Sequence, residues 1–203
     1  MDTIEEFVRE RSINGLFHFT RATNLGSILE RGLITRDILI QEGKREACND
    51  QFRYDATDAI CVSIGFPNYK MFWSLRQNNE DIEWVVLVIR SRALLERCVF
   101  CQTNAASARV TAIPLQQRMS LDALKLMYLD FDQTQRATLN IPSDYPTNPQ
   151  AEVLRLDGIP RQYISGVLVQ TKALKQELEA KYPGLPVKLA PNYFLYRSDY
   201  AHW

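Results

Sequence analysis

The sequence predicts one α+β domain, and three observations carry that prediction. Ala59 to Ile64 is rich in β-forming residues, and Trp84 to Ile89 is a continuous apolar run with β-branched members, which predicts a strand inside a sheet. Helical apolar spacing occurs apart from these runs, in Asn24 to Gly32, Ser120 to Leu129 and Thr171 to Lys181, so strands and helices do not alternate as they do in a parallel α/β fold. The 203 residues contain no internal repeat, low-complexity tract or Gly/Ser linker, so the expected organisation is a single domain over 1–203.

Taken along the chain, Phe17-His18-Phe19-Thr20 follows Gly15 and alternates like a strand, and the short helix after it closes on Gly32. The segment Leu139 to Gln150 holds Pro142, Pro146 and Pro149 among Asn, Ser and Asp residues, a composition that supports neither a helix nor a central strand. It ends directly before Ala151-Glu152-Val153-Leu154. Val153-Leu154, Ile164 to Val169 and Tyr193 to Arg197 are further expected strands, and the helix from Thr171 stops before Pro183-Gly184.

Charge and cysteine content narrow the function classes. Lys+Arg and Asp+Glu are 24 each, which argues against a protein that coats polyanions through general basicity. The charge is nonetheless segregated. Arg90, Arg92, Arg97, Arg109 and Arg118 face only Glu96 in their stretch, which predicts a local basic groove, whereas acids outnumber bases from Met119 to Asp157. Cys98 and Cys101 are the one C-x-x-C pair, too few to fill a tetrahedral zinc site, and Cys48 and Cys61 stand far apart, so no metal and reduced thiols are expected. The acidic start lacks a basic region followed by an apolar run, and no apolar stretch approaches membrane-spanning length; the expected location is the cytoplasm.

Only two histidines are available for chemistry. His202 is next to the last residue, where a mobile terminus is expected. His18, between Phe17 and Phe19, reads on its own as a hydrogen-bonded core residue. Its neighbours change that reading. Leu16-Phe17-His18-Phe19-Thr20, Asn24-Leu25, Ile28-Leu29 and Gly32-Leu33 resemble the opening of the ADP-ribosyltransferase superfamily, and in particular of the DarT family of DNA-base ADP-ribosyltransferase toxins. Phe66-Pro67-Asn68-Tyr69-Lys70-Met71-Phe72, Asn104-Ala105-Ala106-Ser107 and Pro149-Gln150-Ala151-Glu152-Val153-Leu154 resemble later landmarks of that family, in the family's order. The implied fold is a split mixed or antiparallel sheet flanked by helices.

The resemblance implies roles for particular residues. Glu152 is the catalytic carboxylate, stabilising the oxocarbenium-like state formed when the nicotinamide–ribose bond of NAD+ breaks, and helping to deprotonate the acceptor. Arg53, before the second core strand, is expected near the phosphates and the glutamate, with Lys44 and Arg45 as competitors in the same loop. His18, Thr20 and Asn24 are expected to bind NAD+, and Tyr69 and Phe72, with Met71 and Trp73, to form an aromatic wall. The implied substrate is single-stranded DNA, whose base atoms are accessible. The run Ile64 to Phe72 departs from the thymine-modifying branch and looks more like the guanine-modifying one, so guanine is favoured over thymine. An ADP-ribose-removing antitoxin, a macrodomain or similar, is the implied partner. RNA or protein as acceptor, and a binding module without turnover, remain the alternatives.

Overall fold

Trp84–Arg90 lies inside the sheet, bonded on both sides, as its apolar run predicts. In the computed structural model, which describes residues 2–44 and 58–203, the strands are β1 Gly15–Arg21, β2 Ala59–Ile64, β3 Trp84–Arg90, β4 Cys98–Cys101, β5 Glu152–Leu156, β6 Ile164–Val169 and β7 Val187–Leu189. They form one mixed seven-stranded sheet in the order β4-β5-β2-β1-β3-β6-β7. Every pair is antiparallel except β6 with β7. The helices are α1 Ile4–Glu10, α2 Leu25–Arg31, α3 Arg36–Gln41, α4 Tyr69–Gln77, α5 Ala108–Thr111, α6 Leu121–Leu126 and α7 Lys172–Lys181.

Alternation along each strand divides the interior into two faces. Leu16, Val62, Ile64, Leu87, Ile89 and Val153 pack with Phe7 of α1, Leu25 and Ile28 of α2, Leu124 of α6 and Leu174 and Leu178 of α7. The opposite face carries Phe17, Trp84, Val86 and Leu168 against Phe72 of α4 and Phe194. Side-chain caps fix several helix starts: Thr3 for α1, Asn68 for α4, Ser120 for α6 and Thr171 for α7 each accept a backbone N–H. Gly32 ends α2 at φ 83°, and an added Cβ would lie 2.3 Å from the Ile159 carbonyl oxygen, so only glycine fits there.

The position of the split follows from register. β1 and β3 match over seven residue pairs from Gly15–Arg90 to Arg21–Trp84, but β1 and β2 match only at Leu16–Ile64 and Phe17–Ser63. Beyond Phe17 the two strands part. The backbone groups exposed by that parting need partners, and a side chain on β1 supplies one of them.

The structure departs from expectation at two elements and adds a strand at a third. Tyr193 to Arg197 is no strand: Pro191–Phe194 is a 3-10 helix, started by a proline that lacks an N–H, and Arg197 turns inward. The end of the chain is anchored rather than mobile, because the Trp203 indole N–H donates to Asp199, 2.8 Å away, and Tyr200–His202 forms a 3-10 turn. Cys98–Cys101 forms an edge strand, and its two thiols belong to separate packing clusters, so they cannot share a ligand.

Candidate active site

His18 occupies the point where β1 leaves β2. Its Nδ1 lies 2.8 Å from the Cys61 carbonyl oxygen, which can only accept, so Nδ1 carries the proton and Nε2 presents a lone pair. Burial lowers the imidazole pKa, while the Cys61 carbonyl opposes that shift; the ring is therefore neutral at neutral pH. Two residues on, Thr20 is 2% exposed and its Oγ1 accepts from the Asn24 amide at 3.1 Å. Asn24 reaches back because a 3-10 turn, Ala22–Asn24, joins β1 to α2. The expected NAD+-binding residues His18, Thr20 and Asn24 thus form one local arrangement on the Leu16 face of β1.

Glu152 is the first residue of β5 and is 5% exposed. Its Oε1 accepts from the Asn68 amide at 3.1 Å, and its Oε2 from the Ala105 backbone N–H at 2.8 Å. The register of β5 with β2 and β4 puts it on the Ser63 and Cys101 face. Asn68 is itself fixed: its backbone N–H donates to Ser63 Oγ at 3.1 Å, and its Oδ1 accepts from Met71 N–H as the cap of α4. Three segments distant in sequence thereby hold one buried carboxylate in a single orientation. A carboxylate with both oxygens oriented, by the Asn68 amide and the Ala105 N–H among the described residues, suits electrostatic stabilisation of a positive centre.

The proline-rich segment 139–150 leads into Glu152, and two arginines hold its carbonyl groups. Arg136 donates to Pro142 O, Ser143 O, Tyr145 O and Thr147 Oγ1. Arg197, 3% exposed, donates to Pro146 O at 2.8 Å and Thr147 O at 2.7 Å, and is paired with Asp199 at 2.6 Å. Tyr145 packs on Gly65, where a Cβ would come within 2.4 Å of its ring, and on Phe66, which stacks on Tyr193. Burial pushes the Tyr145 hydroxyl up to about 12, so it stays protonated.

The remaining expected residues divide. Tyr69 begins α4 and is 9% exposed, with its hydroxyl pKa raised chiefly by burial. Phe72 is 1% exposed and enclosed: it stacks on Phe19 at 4.5 Å and meets Trp84 and Phe194, with the Arg76 guanidinium over its ring. A ring so covered has no face for a ligand, and Phe19, half-buried, stands outermost in that stack. Met71 is half-buried and Trp73 is 59% exposed on the outer side of α4. Arg53, Arg45 and Cys48 lie outside the described residues, and Lys44 bonds to Glu42.

The expected basic groove is dispersed. Arg97 pairs with Asp157 and Arg109 with Asp132, and Arg118 is buried, donating to the Ile113 carbonyl and to Cys101 Sγ. The basic stretch and the acidic stretch that follows it are therefore partners in space. Among the described residues no cluster of His, Cys, Asp and Glu is arranged to hold a metal ion, and no helix is long and apolar enough to cross a membrane. Ser63 and the Arg197–Asp199 pair are site features that reading the sequence did not single out, and Asn68 and Ala105 fell within two landmark segments without a role of their own. An Asn directly after Pro67 and before a helical run is a capping signal, and it was the available clue to Asn68.

Comparison with known proteins bears on the fold and the family. The chain resembles Thermosipho africanus DarTG in complex with ADP-ribose, with 15% identity and TM-score 0.59 over 89% of this chain, which spans 51% of the Thermosipho chain. It resembles Thermus sp. 2.9 DarT in complex with NAD+ at 13% identity and TM-score 0.53, covering 90% of this chain and 98% of that one. It also resembles the same Thermus protein in complex with ADP-ribosylated ssDNA, at 14% identity and TM-score 0.59, covering 91% and 97%. A search of curated proteins gave no sequence match. The family model described as "ssDNA thymidine ADP-ribosyltransferase, DarT" matches residues 17–195, from the strand that carries His18 to the residue before Tyr196, and the chain belongs to that family.

Proposed function

We propose that this protein transfers ADP-ribose from NAD+ to a base of single-stranded DNA, with guanine as the favoured acceptor. The observation that carries the proposal is the buried Glu152 carboxylate, held by Asn68 and Ala105 at the end of the 139–150 segment. By register, His18 and Thr20 share one face of the sheet and Glu152 the other. A ligand that touches both sets has to pass through the gap between β1 and β2 beyond Phe17. An extended dinucleotide suits such a path, with His18 Nε2 accepting from a ribose hydroxyl and the anomeric carbon brought to Glu152.

In the reaction the bond between the nicotinamide nitrogen and the ribose anomeric carbon breaks, and its electron pair leaves with nicotinamide. A bond forms from an acceptor-base nitrogen to that carbon, and the proton lost by the base goes to Glu152 and then to water. Arg53 has its proposed place beside the phosphates, and Tyr69 beside the nicotinamide end. The preference for guanine rests on the run Ile64 to Phe72, which departs from the thymine-modifying branch; thymine is the base in the family's description. The compartment this activity requires is the one holding NAD+ and DNA, the cytoplasm of a cell protected by an ADP-ribose-removing antitoxin.

Mass spectrometry of a mixed-sequence oligonucleotide incubated with protein and NAD+ tests the reading. The expected result is a gain of one ADP-ribose on guanine. Localisation to thymine corrects the base, whereas label on RNA or protein alone, or intact NAD+, overturns the DNA reading.

A further inference from the structure

Residues 196–203 lie beyond the family match, yet they hold the segment that leads to Glu152. We infer that Arg197 is a positioning residue for the acceptor, fixing the shape of the 139–150 segment through the Pro146 and Thr147 carbonyls. The inference rests on the proposed transfer to DNA for its kinetic consequence, and on geometry alone for the clamp.

Proline supplies no N–H, so a segment with Pro142, Pro146 and Pro149 is poor in backbone donors for its own carbonyls. Arg197 provides donors from outside. Its Nε and Nη2 bind the two oxygens of Asp199, both at 2.6 Å, which leaves Nη1 aimed at Pro146 O and the second Nη2 proton at Thr147 O. Trp203 adds an N–H to Asp199 and so fixes the acid that fixes the arginine. The clamp is transmitted in the chain direction. Thr147 is 1% exposed and its N–H bonds the Met127 carbonyl; Asn148 Oδ1 accepts from Gln150 N–H, and Ala151 N–H closes on Asn148 O, one residue before Glu152. On the other side of the clamp is Tyr145, half-buried, whose ring lies 5.9 Å from the Arg197 guanidinium. Arg197 thus grips the segment between Tyr145 and the proposed catalytic carboxylate, through carbonyls rather than through Glu152 itself.

The test is the paired substitution Arg197→Met with Asp199→Leu, which removes both buried charges together and so avoids stranding one of them. Two readouts are taken on the full chain. The first is endoproteinase Asp-N cleavage of the Ser143–Asp144 bond, expected to speed up in the variant while the thermal transition stays cooperative. The second is kinetic: NAD+ affinity by calorimetry is expected within about twofold of wild type, while kcat/KM for the oligonucleotide falls about 10- to 100-fold, mainly through KM. Arg197→Lys, which keeps the charge and part of the donor set, is expected to lie between the two. Cleavage at the wild-type rate overturns the inference. So does unchanged oligonucleotide kcat/KM, or NAD+ affinity falling in parallel with transfer, the mark of a general structural role. Faster cleavage in the variant, with no DNA transfer by wild type, upholds the clamp and removes the DNA reading instead.

Discussion

The two halves of the site are built in opposite ways. The half around His18 is largely local: Leu16 to Asn24 supplies strand, histidine, threonine and the asparagine that bonds back to it, and the Cys61 carbonyl joins it from β2. The half around Glu152 is assembled from three stretches distant in sequence: Ser63 with Asn68, Ala105, and Glu152 itself. Local construction tolerates loss of one contact, because the strand persists through its long pairing with β3. Assembled construction makes each contact depend on the others, so substitutions there are expected to act together and strongly.

The largest expected effect tests the assembled half. Glu152→Gln removes the charge and is expected to lower transfer by about 10²- to 10⁴-fold. It also sets an amide NH2 against either the Asn68 amide or the Ala105 N–H, a clash of donors. A stability loss of about 1–3 kcal/mol is therefore expected in denaturant titration, with the fold retained. Transfer at the wild-type rate removes Glu152 from its role.

Asn68→Asp is the sharper probe. The cap on α4 survives, since a carboxylate also accepts from Met71 N–H, but a second carboxylate now faces Glu152 across the 3.1 Å contact. Two buried like charges raise one pKa strongly, so the acidic limb of the pH–rate profile is expected to move upward. An unmoved limb, with transfer lost, places Asn68 in folding only.

For the local half, His18→Ala is expected to weaken NAD+ binding about tenfold, near the value of one hydrogen bond, with folding intact. Isothermal titration of NAD+ reads it, and unchanged affinity takes His18 out of the site.

The same residue predicts a pH dependence. Its folded pKa lies below the ordinary value, because burial disfavours the cation. Protons therefore bind the unfolded chain first, and stability present above about pH 6.5 is lost as pH falls through the lowered folded pKa. Denaturant midpoints of wild type and His18→Asn across this window check the sign, and the variant should lack the step.

The smallest effect is expected at Trp73→Ala, within about 0.5 kcal/mol of wild-type stability, because the side chain is 59% exposed. A larger loss would tie Trp73 to the core that Phe72 already fills.

Much of the local half was legible in the sequence. Alternation and β-branching located β1, β2, β3 and β6; the capping Thr171 and the terminal Gly32 bounded two helices; and Glu152 stood out as an acid between a proline-rich segment and an apolar strand. Other features were illegible for definable reasons. Tyr193 to Arg197 has strand-like composition, but Arg197 is drawn inward by carbonyls some fifty residues earlier, a contact that no periodicity encodes. The arginine-rich stretch promised a groove because charge counted along a chain ignores pairing across it, and Asp132 and Asp157 took two of those arginines. Phe72 has the composition of a ligand-facing ring, and its depth depends on Phe19, Trp84 and Phe194 closing around it.

By itself the sequence determined the core strands β1, β2, β3, β5 and β6, the extents of α2 and α7, and which residues could hold a proton or a charge, since these follow from short-range sterics, hydrogen bonding within a few residues and burial periodicity. Only the tertiary structure decided that β1 and β2 part after Phe17, that Asn68 and Ala105 hold Glu152, and that Arg197 grips the segment before it. Those are long-range bonds between polar groups, and they exist because a buried donor or acceptor must find a partner wherever the fold places one.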